Sequence, residues 1–83
     1  MATGPDSVVP SRLLQTLGDR VRDRRLELGL SQEQLGERAG LHRNYISGIE
    51  QGRRNIAVVN IVKLAVALKR DPGELLDGLH RKR

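Results

Sequence analysis

From Gly29 to Gly52 the chain reads GLSQEQLGERAGLHRNYISGIEQG, two short helical segments divided by one glycine, and this stretch restricts the fold more than any other. Ser31 ahead of Gln32, Glu33 and Gln34 marks a helix start, because the serine oxygen and the Gln34 side chain satisfy each other's free backbone donors as a capping box. Leu35 and Ala39 share a face of the helix that follows. Gly40 ends it, a residue that tolerates the left-handed backbone of a tight interhelical corner. The next segment, His42 to Gln51, carries Ile46 and Ile49 as its apolar pair and stops at Gly52. A helix of about eight residues, a glycine turn and a helix of about nine make an αα corner. Gly36, small and central in the first of the two, is expected to let the second helix approach closely.

The flanks read as three more helices. Met1 to Pro10 is rich in breakers and lacks periodicity, so residues 1–10 are expected to form a flexible N-terminal arm outside the core. From Ser11 the pattern turns helical, with Leu14, Leu17, Val21 and Leu28 at three-, four- and seven-residue steps until Gly29. Ala57 to Leu68 carries two apolar stripes, Val58, Ile61, Ala65 and Leu68 on one and Val59, Val62 and Val66 on the other, and a helix apolar on most sides needs two partners. Asp71-Pro72-Gly73-Glu74 announces a last helix, with an acidic N-cap, proline at the first position and a capping-box glutamate ahead of Leu75, Leu76 and Leu79. The expected architecture is all-α, a single five-helix domain over residues 11–79 with a basic tail at 80–83.

Composition narrows the function classes. A chain of 83 residues buries only about 60–65% of the surface its unfolded form exposes, so a partner subunit would help it. With no cysteine, disulfides and thiolate metal sites are excluded. His42 and His80 lie far apart without metal-ligand spacing, and no nucleophile, base and oxyanion arrangement is visible; neither a metal, a cofactor, a small-molecule ligand nor an enzymatic activity is expected. No apolar run approaches the ~18 residues a membrane span needs, and the first ten residues do not resemble a signal peptide, so a soluble cytoplasmic protein is expected. Fifteen Lys and Arg against ten Asp and Glu give a formal charge of +5, a footprint suited to a polyanion. A high-GC genome also raises Arg content, so charge alone does not separate the readings.

The αα corner is the geometry that lays one helix in a DNA major groove. GLSQEQLGERAGLHRNYISGIEQGRRN followed by LAVALKRDPGELL resembles the Cro and repressor-type helix-turn-helix family, also called the Xre family. Gln32, Gly36, Gly40, Ile46, Ile49 and Glu50 fall at its spacings over roughly Leu17 to Leu79. The resemblance implies a lambda-repressor-like fold and double-stranded DNA as the partner. Gln32 matches the family's phosphate-binding glutamine, which positions and does not specify. Arg43 and Asn44 match the first base-edge readers, Arg43 suiting guanine and Asn44 adenine, with Ser47 and Gly48 on the next turn. Family members usually carry a longer polar side chain where Gly48 stands, so readout there is expected to be thin. Arg53, Arg54 and Asn55 fall in the loop that touches the sugar-phosphate backbone. Tyr45 has two open roles, a phosphate contact from the helix flank or packing against the preceding helix. Arg25 and Glu50 match an ion pair tying the first helix to the recognition helix in some relatives. YISGIEQGRRNIAVVNIVKLAVAL looks especially like the controller proteins of restriction–modification systems, which bind their own promoters as dimers.

Each of these assignments has a plainer competitor. Arg43, Asn44, Arg53 and Arg54 could be solvated, and His42, near a helix start where Ser or Thr is commoner, reads as structural. Val59, Val62 and Val66 could lie beneath the last helix, but the surplus of apolar surface favours a homodimer interface shared with Leu75, Leu76 and Leu79. An antitoxin or adaptor that uses the same fold to hold a partner protein is the competing function.

Overall fold

A computed structural model describes the backbone of residues 3–80 and the side chains of residues 11–80. Among the described residues there are five helices and no strand: α1 (Thr3–Glu27), α2 (Gln32–Ala39), α3 (Arg43–Glu50), α4 (Val58–Ala67) and α5 (Pro72–Leu76). The fold is all-α, and α2 to α5 begin within a residue of where their sequence signals lie. Helix α1 differs, since its backbone is helical from Thr3 and not from Ser11. Pro5 falls in the first turn, where a missing N–H leaves no bond unmade, while Pro10 lies in the interior of the helix and does not end it. The basic tail, apart from His80, lies outside the described residues.

Each end of α2 is fixed locally. The Ser31 hydroxyl accepts from the Gln34 N–H at 3.0 Å and the Gln34 side chain accepts from the Ser31 N–H at 2.8 Å. At the other end Gly40 adopts φ 72°, and its neighbour's N–H, that of Leu41, bonds back to the Gly36 carbonyl at 2.8 Å. A β-carbon at Gly36 would collide with the Leu41 carbonyl. The glycine is therefore required by the corner itself; the expected close approach is to the turn backbone more than to the body of α3. Helix α3 starts at His42, whose Nδ1 accepts from the Asn44 N–H at 3.0 Å and fills the place of a hydroxyl cap. At α5 the Glu74 carboxylate accepts from the Asp71 N–H at 2.9 Å, with Pro72 at the first helical position.

The core gathers Leu17 and Val21 of α1, Leu35 and Ala39 of α2, Ile46 and Ile49 of α3, Leu64, Ala65 and Leu68 of α4, and Leu75 of α5. Ile46 and Ile49 are fully buried, as their spacing predicts, and each contributes roughly 1.5–3 kcal/mol of apolar burial that seats α3 on the domain. Helix α1 crosses close to the end of α3 at Gly18, where a β-carbon would strike the Ile49 carbonyl. On α4 the inward arc is Ile61, Leu64, Ala65 and Leu68, while Val58 is 74% exposed. Val58 stands in the first turn at the border of the two stripes, and the core ends before reaching it.

Candidate nucleic-acid interface

The outward side of α3 follows from its inward side. With Ile46, Ile49 and Glu50 buried, a 100° step per residue turns Asn44, Ser47, Gly48 and Gln51 away from the domain, with Arg43 and Tyr45 on the flanks. Arg43, Asn44 and Gln51 are exposed and Ser47 is half-buried, so the structure brings three of the sequence-predicted readers onto one surface. Gln51 was missed. It lies one turn after Ser47, whose hydroxyl its amide reaches at 3.4 Å, and the spacing Asn44, Ser47, Gln51 was the available signal.

Gly48 departs from expectation. It faces outward yet is buried, because the side chain of Arg54 lies across it: a β-carbon there would stand 2.8 Å from Arg54 Cγ and 3.2 Å from its Nε. The chain returns to α3 through the Gly52 N–H to the Ile49 carbonyl at 3.0 Å and the Arg53 N–H to the Gly48 carbonyl at 2.9 Å. Arg54 then runs back along the helix until its guanidinium carbon is 5.6 Å from the centre of the Tyr45 ring, within cation–π range. The Tyr45 hydroxyl accepts from Asn60 Nδ2 of α4 at 3.1 Å, and the ring packs against the core. Tyr45 thus packs on the domain and carries Arg54. Arg53 and Asn55 are exposed.

Beneath the start of α2 lies a buried charge network. Arg25 Nε donates to Glu50 Oε2 at 2.7 Å and Arg25 Nη2 to Glu50 Oε1 at 3.0 Å, a two-pronged pair, while Arg25 Nη1 donates to the Leu30 carbonyl at 2.7 Å. Gln32 Nε2 adds a third bond to Glu50, at 3.1 Å to Oε1. Both residues are buried, Arg25 at 8% and Glu50 at 6% exposure. Gln32 is therefore held at the mouth of α2 by the same carboxylate that ties α1 to α3. A shallow depression beside it is lined by Gln15, Asp19, Arg22, Gln32, Glu50 and Gln51.

Other arginines serve the fold. Arg20 Nη1 donates to the Leu75 carbonyl and Arg24 Nε to the Leu68 carbonyl, each at 2.9 Å, so α1 neutralises the negative ends of α4 and α5. Part of the basic composition is structural, and the outward-facing cations around α3 include Arg43, Arg53 and Arg54. The apolar surface on α4 is real: Val59 is 64% exposed, Val62 43% and Val66 69%, with Leu76 of α5 at 41%. Leu75 and Leu79 do not belong with them. Leu75 points into the protomer's own core and Leu79 packs against it, because the short α5 turns that side toward α1 and α4.

A capped helix, a glycine corner and a second helix seated by two isoleucines, with polar residues turned outward, define a helix-turn-helix domain of the lambda-repressor kind. The chain belongs to the helix-turn-helix family of Xre type, whose sequence profile, described as "Helix-turn-helix", matches residues 21–75. It is 48% identical over 61 residues to the control protein C.BamHI of Bacillus amyloliquefaciens, across 72% of this chain and 75% of that one. Its structure matches the restriction-modification controller protein C.AhdI of Aeromonas hydrophila with a TM-score of 0.73 and 50% identity, over 75% of this chain and 94% of the other. The P22 c2 repressor, solved in complex with a synthetic operator, matches with a TM-score of 0.70 and 34% identity over 75% of this chain and 94% of its own. No described helix is long and apolar enough to cross a membrane.

Proposed function

We propose that the chain is a sequence-specific, non-catalytic DNA-binding regulator of transcription that binds a near-palindromic operator as a homodimer and governs its own promoter within a restriction–modification system. The observation that carries the reading is the outward row of α3, hydrogen-bonding side chains raised above a rigid apolar seat and flanked by free guanidinium groups. Such a row fits the major groove, where each base pair presents a distinct set of donors and acceptors. Gln32, at the positive end of α2, would hold a backbone phosphate and set the register, while Arg43 and Asn44 read base edges. Arg53 and Asn55 would add phosphate contacts. The likeness to control proteins supports the restriction–modification setting.

The dimer rests on Val59, Val62, Val66 and Leu76, joined by Val58. A row of valines along an exposed helix is poorly tolerated in water, and a two-fold axis through it would set two α3 helices toward successive turns of one groove. The test is a titration by fluorescence anisotropy of the duplex upstream of the chain's own reading frame against a scrambled duplex at about 0.15 M salt. Tighter binding of the upstream duplex, by roughly a thousandfold or more, is expected. Equal affinity for the two would contradict the proposal.

A further inference from the structure

The outward side of α3 has one position without a side chain, Gly48, and one side chain that comes from elsewhere to occupy it. Arg54 enters from the loop, its Cγ, Cδ and Nε passing 2.8, 3.6 and 3.2 Å from the site a β-carbon would take on Gly48. Its guanidinium comes to rest on the Tyr45 ring, and Tyr45 is itself anchored to α4 through Asn60. Two independent features therefore hold this arginine along the helix: an empty place beneath its stem and an aromatic face beneath its head.

Resting on the operator-binding reading above, we propose that Arg54 is a specificity-determining residue, the outward side chain that α3 itself lacks at Gly48, and that it reads a guanine edge in each half-site. A solvated loop arginine would reach the nearest phosphate and weaken or strengthen all sequences alike. Arg54 is instead laid across Gly48, an outward position of α3, with its head over Tyr45, in a place where a family member with a larger residue at 48 could not accommodate its stem. The guanidinium fork matches guanine O6 and N7 with two parallel hydrogen bonds. Because the stem is already ordered, less side-chain entropy is lost when the bonds form.

The test uses the full chain and a panel of duplexes in which each operator base pair is changed in turn, with binding measured at two salt concentrations. Wild type is expected to reject changes at the Arg54 position by roughly 5- to 100-fold. Arg54→Lys keeps charge and stem but not the fork, and should lose that discrimination while leaving the salt dependence in place. Gly48→Ala should lose the discrimination at the same position, since its β-carbon displaces Arg54 Cγ while the charge is retained. Circular dichroism checks the fold of both variants, and alanine within an α-helix favours it. Uniform weakening across the panel in Arg54→Lys, or an unchanged panel in Gly48→Ala, would overturn the proposal. A wild type that prefers no duplex would instead overturn the operator-binding reading on which it stands.

Discussion

The Glu50 carboxylate accepts three hydrogen bonds, two from Arg25 and one from Gln32, and the residue is buried at the floor of the depression beside α2. Removing it leaves a buried guanidinium without its counter-charge, so Glu50→Ala is expected to cost about 3–5 kcal/mol in chemical denaturation. Glu27, whose pairs with Arg24 and Arg70 lie at the surface, provides the contrast: Glu27→Ala should cost less than about 1 kcal/mol. A comparable loss in the two would mean that the buried network does not hold α1 to α3. The pair was legible in the sequence only through family resemblance, because Arg25 and Glu50 are 25 residues apart and nothing local announces their meeting. The same holds for Arg54 over Gly48. A glycine on the outward side reads as missing readout until the returning chain shows what covers it.

Helices α2 and α3 are readable nearly to the residue because their starts are fixed by side chains within three positions of the cap and their ends lie at glycines or one residue before them. His42 is the least ordinary of these, with an imidazole nitrogen where a hydroxyl would serve. His42→Ala should therefore destabilise the protein by about 1 kcal/mol and His42→Ser should restore most of the loss, a comparison that thermal unfolding resolves. Gly18 shows what local reading cannot supply. Within a helix, glycine to alanine ordinarily gains up to about 1 kcal/mol. Here the added methyl group meets the Ile49 carbonyl, a backbone atom that cannot swing aside, so Gly18→Ala is expected to destabilise by about 1–3 kcal/mol. A stabilised Gly18→Ala protein would show that α1 and α3 stand further apart than described. The start of α1 lies ahead of its sequence signal: Pro5 and Gly4 are tolerated in a first turn, whereas Pro10 stands inside the helix, where a proline ordinarily argues for a boundary.

At the scale of the molecule, the two faces that matter are polar on α3 and apolar on α4. The sequence separated Val59, Val62 and Val66 from the inward Ile61, Ala65 and Leu68, but set Val58 with the inward set and left Leu64 out of it. It could not say that Leu75 and Leu79 fold inward, since a five-residue helix carries too few positions to define a face. If α4 joins two protomers, Val62→Glu places an unpaired charge in the seam and should weaken self-association by roughly tenfold or more while the protomer stays folded, as sedimentation equilibrium would report. Unchanged association would move the interface elsewhere. The central claim is that a symmetric pair of these chains reads DNA through α3, and selection of bound duplexes from a random pool tests it most directly. The account predicts recovery of two inverted half-sites centred about 10 base pairs apart. Recovery of a single unpaired half-site, or of no shared sequence, would contradict it.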